Sequence, residues 1–190
     1  MKVIGISGSP RKNGNSEILL RKALEPFKDK NWKIVEFNLS NQNVLPCDGC
    51  DTCVSSNSCK INDDMNILYD ELKEFDAMII ASPAYYRNVT SQLKALFDRT
   101  YALTNYRLLK GKLGGAIAVG RGEGGGQSIV LTVIHNFFLS SGIICIPGEL
   151  NGVSAKADKP GDILNQPKRL RQARLLGENI IHFFESNKSA

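Results

Sequence analysis

The residues with the plainest capacity for chemistry are Cys47, Cys50, Cys53 and Cys59, four of the chain's five cysteines gathered within thirteen positions. A thiolate ligates iron or zinc only after losing its proton. Four converging anions are costly unless a cation neutralises them, so a knot of this kind normally holds a metal. The spacing separates the metals. Structural zinc sites usually pair two Cys-x2-Cys turns across a longer arm, whereas Cys-x2-Cys-x2-Cys presents three thiolates from one wrapped loop, as in bacterial-type ferredoxins. Cys59 follows closely and completes a four-cysteine set without help from a distant element. The pattern favours a 4Fe-4S cluster, with a zinc knuckle or disulfide pairing as the alternatives. Persistent disulfides are rare in reducing compartments.

A second stretch is built for an anion. Gly8-Ser9-Pro10-Arg11-Lys12-Asn13-Gly14-Asn15-Ser16 leaves a short β-branched run and enters a helix directly. It offers backbone N–H groups, hydroxyls and amides, and a helix N-terminus adds about 0.3 to 1 kcal/mol of attraction per charge at exposed sites. A Walker A loop needs Gly-Lys-Ser/Thr, and Asn15 stands where that lysine would be; there is also no G-x-G-x-x-G fingerprint. A single phosphate monoester held by Ser9, Arg11, Asn13, Asn15 and Ser16 suits these residues, which points to FMN. The plainer alternative is a polar turn with a good N-cap.

Two further loops suit the rest of a flavin. Ser82-Pro83-Ala84-Tyr85-Tyr86-Arg87-Asn88 carries consecutive tyrosines that could cover or flank a flat isoalloxazine ring, with Pro83 stiffening the turn. Gly120-Arg121-Gly122-Glu123-Gly124-Gly125-Gly126 lets the backbone approach a ligand and frees amides to bond it. The cofactor-binding candidates are therefore Pro83, Ala84, Tyr85, Tyr86, Asn88, Gly120, Arg121, Gly122 and Gly124, together with the phosphate-loop residues. No residue reads as a catalytic acid, base or nucleophile, and the cysteines are ligands.

The elements that must position these loops alternate. Strands are expected at Lys2 to Ser7, Ile34 to Phe37, Ala77 to Ala81, Leu113 to Val119 and Ile143 to Ile146. Helices are expected at Ser16 to Phe27, after a cap at Asp63 or Asp64 with Met65, Leu68, Leu72 and Phe75 as its apolar stripe, at Thr90 to Tyr101 buried through Leu93, Leu96, Phe97 and Tyr101, at about Ser128 to Leu139, and at Pro167 to Glu185. In the last, Leu170, Ala173, Leu176, Ile180 and Phe184 face inward. Five strands alternating with helices predict an α/β fold, a doubly wound parallel sheet in the flavodoxin-like order 2-1-3-4-5, with ligands outside the carboxyl edge of the strands. All three flavin loops and the cysteine loop after strand two emerge at that edge. Trp32 falls at the opposite edge and reads as packing. His135 and His182 read as structural residues among apolar neighbours, and Cys145 as a small core residue with a remote ligand role as the alternative.

Length and composition set the frame. At 190 residues, 42% hydrophobic and 23% charged, the chain reads as one globular domain, 1–190, with nothing suggesting a membrane span. Its first residues lack a signal peptide's apolar core, so a cytoplasmic location is expected. The net charge of +5 is scattered and accompanied by no nucleic-acid-binding motif.

Gly8-Ser9-Pro10-Arg11 with Gly14-Asn15-Ser16, then Ser82-Pro83-Ala84-Tyr85 and the glycine-rich loop, resemble the NADPH-dependent FMN reductase family over most of the chain. With Cys47, Cys50, Cys53 and Cys59 added, the chain resembles the iron-sulfur flavoproteins of anaerobic and methane-producing microbes. The resemblance implies one FMN and one 4Fe-4S cluster per subunit, a homodimer or homotetramer that brings a cluster near a neighbour's flavin, electron supply by ferredoxin, and transfer to dioxygen, hydrogen peroxide or another small acceptor. The other function classes in view are an NAD(P)H-dependent flavin or quinone reductase with a structural zinc loop, and a non-catalytic electron carrier.

Overall fold

A computed structural model describes residues 1–122 and 124–188; Glu123 of the glycine-rich loop lies outside the described residues. The chain runs β1 (Lys2–Ser7), α1 (Asn15–Asp29), β2 (Lys33–Asn38), α2 (Thr52–Ser56), α3 (Met65–Lys73), β3 (Ala77–Pro83) and α4 (Ser91–Arg99), which continues into a 3-10 turn (Thr100–Tyr106). It then continues as β4 (Leu113–Gly120), α5 (Gln127–Ser140), β5 (Ile144–Cys145), β6 (Val153–Lys156), a short 3-10 turn (Asp162–Asn165) and α6 (Pro167–Lys188). The strands are parallel in the order β2-β1-β3-β4-β5, as the sequence predicts, with β6 also paired to β4.

Side chains alternate across a strand, so β1, β3 and β4 feed two cores at once. Ile4, Ile6, Met78 and Ile80 join Met65, Leu68, Leu93, Leu96, Ile134 and Phe138 under α3, α4 and α5. Val3, Ile79, Ile117 and Val119 join Leu19, Leu20, Ala23, Leu176 and Ile180 under α1 and α6. The continuously apolar strands follow from burial on both faces. Gly177 lets α6 close on α1, since a Cβ there would collide with the Ala23 carbonyl. Trp32 packs edge-on between Phe27 and Phe184, at centroid distances of 5.0 and 4.8 Å, which bears out its reading as packing.

Three features depart from the sequence reading. The fifth strand position is filled twice: β5 pairs with Leu113 and Gly114, and β6 with Ile117 to Gly120. Pro147, which has no N–H to donate, lies in the loop between the two segments. Tyr101 is 57% exposed instead of buried, because α4 ends at Arg99 and the tighter 3-10 turn rotates it outward. α3 stops at Lys73, before Phe75, which is nevertheless buried. No helix among the described residues is long and apolar enough to cross a membrane.

Candidate functional site

A cleft of about 270 Å³ opens at the carboxyl edge of β1, β3 and β4. Of the sequence candidates it gathers Ser9, Arg11, Asn15 and Ser16 from the first loop, Pro83, Ala84 and Tyr85 from the second, and Gly120 and Arg121 from the third. Ligand sites typically occupy about 300 to 1,000 Å³, so this cleft would enclose part of a flavin and leave the remainder at the rim.

The first loop is held by its own polar groups. Ser9 Oγ accepts from the Arg11 N–H (3.1 Å) and donates to the Arg11 carbonyl (3.2 Å). α1 begins at Gly14 with no side chain capping it, and Ser16 is buried in its first turn. An uncapped helix N-terminus with a serine and an arginine beside it is a fitting seat for a phosphate. Thr90 fixes the start of the loop: its hydroxyl donates to the Gly8 carbonyl (2.6 Å) and accepts from the Leu93 N–H (3.2 Å), capping α4.

Two asparagines have different work from that expected. Asn13 lies outside the cleft with φ +53, its backbone N–H donating to the Glu17 carboxylate (2.7 Å) and its side-chain Oδ1 accepting from Arg21 (3.2 Å). Asn15 lines the cleft, but its amide donates to the Lys159 carbonyl (2.8 Å) and accepts from the Ile163 N–H (3.2 Å). It therefore ties the phosphate loop to the segment after β6. That segment adds Ala157, Asp158 and Pro160 to the cleft, and Asp158 pairs with Arg121 at 2.5 Å. These residues are not apparent from the sequence, because the strand that leads into them, β6, has only four residues, too few to declare a period.

The tyrosine loop is a two-residue hairpin. Tyr85 and Asn88 exchange backbone hydrogen bonds (2.9 and 3.0 Å), and Tyr86 and Arg87 between them adopt φ +47 and +60. Tyr86 stands fully in solvent at 107% exposure, and neither it nor Asn88 lines the cleft. Gly126 packs on this turn, where a Cβ would lie 2.5 Å from the Arg87 Cα. Gly122 and Gly124 also stay outside the cleft; the Gly122 carbonyl instead accepts from Gln127 (3.0 Å), which reaches the Ala155 carbonyl as well (3.3 Å).

The cysteine loop leaves β2 at the same edge. It wraps through left-handed backbone at Gly49, Asp51 and Asn57, around α2. All four cysteines are free thiols; Cys47 and Cys50 are exposed, and Cys53 and Cys59 half-buried. Burial pushes the Cys53 thiol up, its own backbone opposes this, and the neighbouring Cys59, Cys50 and Cys47 push it further. The Gly49 N–H points at Cys47 Sγ (3.5 Å), and Lys60 pairs with Asp48 (3.0 Å) across the loop. Among the described residues, no three His, Cys, Asp or Glu side chains close on a single metal ion. The donor set, four soft thiols on one wrapped loop, nevertheless suits a cluster bound through several irons.

Beneath this loop lies a pair that the sequence reading did not identify. Arg99 and Asp63 form a bidentate ion pair at 2.7 and 3.0 Å, with side chains 0% and 1% exposed. Burial alone would raise Asp63, but the Arg99 guanidinium and the N–H groups of Leu45 and Met65 hold it below the usual carboxylate range. Asp63, and not the N-cap residue Asp64, thus receives the first N–H of α3 (3.1 Å). Burial pushes Tyr69, whose hydroxyl donates to the Arg99 carbonyl (2.8 Å), up to about 12. The signal available in the sequence was Arg99 itself, three residues after Leu96 on the apolar stripe of its helix.

The remaining candidates stand apart. Cys145 pairs with Gly114 at the amino end of β4, the opposite edge from the cysteine loop, which removes it as a remote ligand. His135 is half-buried on α5, where desolvation lowers its pKa, whereas His182 is exposed on α6.

Residues 1–157 match the model of the family described as NADPH-dependent FMN reductase. The chain is 39% identical over 184 residues to an iron-sulfur flavoprotein of Methanocaldococcus jannaschii, covering 95% of each chain. It is 40% identical over 147 residues to an iron-sulfur flavoprotein of Methanosarcina thermophila, covering 77% of each. Among solved structures, a flavodoxin, WrbA-like protein from Agrobacterium tumefaciens superimposes with TM-score 0.69 at 13% identity, covering 97% of each chain, a likeness of fold alone.

Proposed function

The chain belongs to the iron-sulfur flavoproteins of the NADPH-dependent FMN reductase family, and on that premise we propose that it passes electrons between a 4Fe-4S cluster on Cys47, Cys50, Cys53 and Cys59 and an FMN seated in the carboxyl-edge cleft. A cluster exchanges single electrons and a flavin one or two, so the two groups together join a one-electron donor to a two-electron acceptor. The donor we favour is ferredoxin or a similar small carrier, and the acceptor a small oxidant such as dioxygen or hydrogen peroxide.

The observation that carries this reading is the common exit of two chemically different loops. β1 and β2 are sheet neighbours paired from Lys2 with Lys33 to Ser7 with Asn38, and the Leu39 N–H bonds the Ser7 carbonyl (2.9 Å) where both end. The phosphate loop leaves one strand there and the cysteine loop the other. In this reading Ser9, Arg11, Ser16 and the α1 N-terminus bind the phosphate; Asn15 holds their loop in place; and Pro83, Ala84, Tyr85, Gly120 and Arg121 bound the ring, with Tyr86 reaching over its open side. The half-buried Cys53 and Cys59 face the protein, while Cys47 and Cys50 stay toward solvent, where a donor or a second copy of the chain would meet them. We infer a homodimer or homotetramer that shields this edge, and a cytoplasmic home consistent with five free thiols.

Iron, acid-labile sulfide, zinc and FMN measured together on protein purified without oxygen test the proposal. About four irons and four sulfides per flavin are expected. About one zinc without sulfide would replace it with a flavin reductase carrying a structural metal loop.

A further inference from the structure

Both roots of the cysteine loop are held by one buried side chain. Arg99 Nη1 donates to the Leu45 carbonyl (2.9 Å), just before Cys47, and Nη2 to the Ile61 carbonyl (3.3 Å), just after Cys59. The same two nitrogens grip the two oxygens of Asp63, and Asp63 accepts in turn from the Leu45 N–H (2.8 Å). Tyr69 holds the Arg99 carbonyl from behind (2.8 Å). Arg99 Nε, by contrast, has no hydrogen-bond partner among the described residues, so the side chain is committed through its fork.

A buried ion pair is a poor device for stability alone, because well-packed apolar residues often replace one at no loss. This pair spends its bonds on the entry and exit of a loop. We propose that Arg99 and Asp63 are positioning residues for the cluster, fixing the span between the loop's roots and so the separation at which Cys47 and Cys59 are presented. Each of those cysteines lies two residues from a clamped carbonyl, a tether of about 7 Å at most in extended chain. Cys50 and Cys53 are placed instead by their own turn and α2. The clamp therefore governs the outer two ligands.

This inference rests on the reading that the loop holds an iron-sulfur cluster. Its test compares wild type, the apolar double variant Arg99→Met/Asp63→Leu, and Arg99→Lys, all purified anaerobically with FMN. In the double variant FMN content and melting temperature stay near wild type, while iron is lost to a chelator about 10- to 100-fold faster, the range for groups that orient metal ligands. The midpoint potential of the iron that remains also shifts. Arg99→Lys falls between the two, because one ammonium cannot serve two carbonyls and two carboxylate oxygens together. A folded double variant that keeps its iron at the wild-type rate and potential overturns the clamp. Should that variant fail to fold, hydrogen exchange on wild type decides: the Leu45 amide is expected to be protected, and exchange at the rate of a free loop overturns the proposal. Wild type lacking iron and sulfide would refute the cluster reading itself and leave the clamp to be judged at Leu45.

Discussion

Tyr86→Asn should make the FMN-free protein more stable and its hold on FMN weaker. Tyr86 has φ +47 and is followed by Arg87 at φ +60, a turn of the kind that favours Asn-Gly. An L-residue other than Asn, Asp or Gly in left-handed backbone costs roughly 1 to 2 kcal/mol. At 107% exposure the tyrosine ring has no burial to lose, and the turn's hydrogen bonds, from Tyr85 and Asn88, are made by backbone atoms. The substitution should therefore relieve about 1 kcal/mol, a rise in melting temperature of about 2 to 4 °C for a chain of this size. If the ring covers the flavin, losing an aromatic contact of about 0.5 to 1.5 kcal/mol weakens FMN about 2- to 10-fold. Thermal unfolding without flavin and fluorescence titration with it read the two effects separately. A fall in the flavin-free melting temperature would refute the strain argument. A rise with unchanged FMN affinity would spare that argument and remove Tyr86 from the flavin.

Arg11→Ala or Ser16→Ala should weaken FMN about 10-fold or more while leaving iron content unchanged, as expected for hydrogen bonds to a charged group; unaltered affinity in flavin titration would refute the phosphate assignment. Cys50→Ala should abolish the cluster's visible absorption yet leave FMN bound, and loss of both with an unfolded circular-dichroism spectrum would show that the two sites are not separable. Asp63→Asn should cost about 3 to 5 kcal/mol at neutral pH, since Arg99 is left as an unpaired buried charge. Asp63 is held below its ordinary value in the folded state, so its contribution is present above about pH 4 and is lost as pH falls through the folded value. The stability gap between wild type and Asp63→Asn should accordingly close in acid unfolding curves, and a gap constant down to pH 2 would contradict the pairing.

Where a feature repeats with a period, the sequence disclosed it. The apolar runs of β3 and β4 and the apolar stripes of α4 and α6 followed from two-sided and one-sided burial, and the strand order then brought the three loops to one edge. What stayed hidden is polar and non-local. Asn13 and Asn15 differ by two positions in one loop, yet one bonds Arg21 and the other reaches Ile163. Composition assigned both to phosphate, because nothing in the loop reveals that a distant segment uses an asparagine amide. β6 escaped for a related reason: Val153–Lys156 alternates buried and exposed residues, but four residues are too short to declare a strand, and it is the pairing with β4 that does so. Arg99 broke the apolar stripe of its helix, and its partner Asp63 could not be named from spacing alone.

The same short helix serves both sites from its two ends. At the N-terminus of α4, Thr90 fixes the Gly8 carbonyl at the root of the phosphate loop; at its C-terminus, Arg99 fixes the roots of the cysteine loop. A helix of nine residues is about 13 Å long, and its Leu93 and Leu96 are buried in the core beneath the sheet. The two loops are thus referenced to one rigid rod, while the far side of the phosphate loop is held by Asn15 to the segment that leads into α6. Side chains that touch only one loop, such as Arg11 or Cys50, have no partner in common and should act independently. A change that tilted α4 would move both loops at once. The relative placement of phosphate seat and cysteine roots is therefore set by helix packing, which each loop sequence alone does not encode.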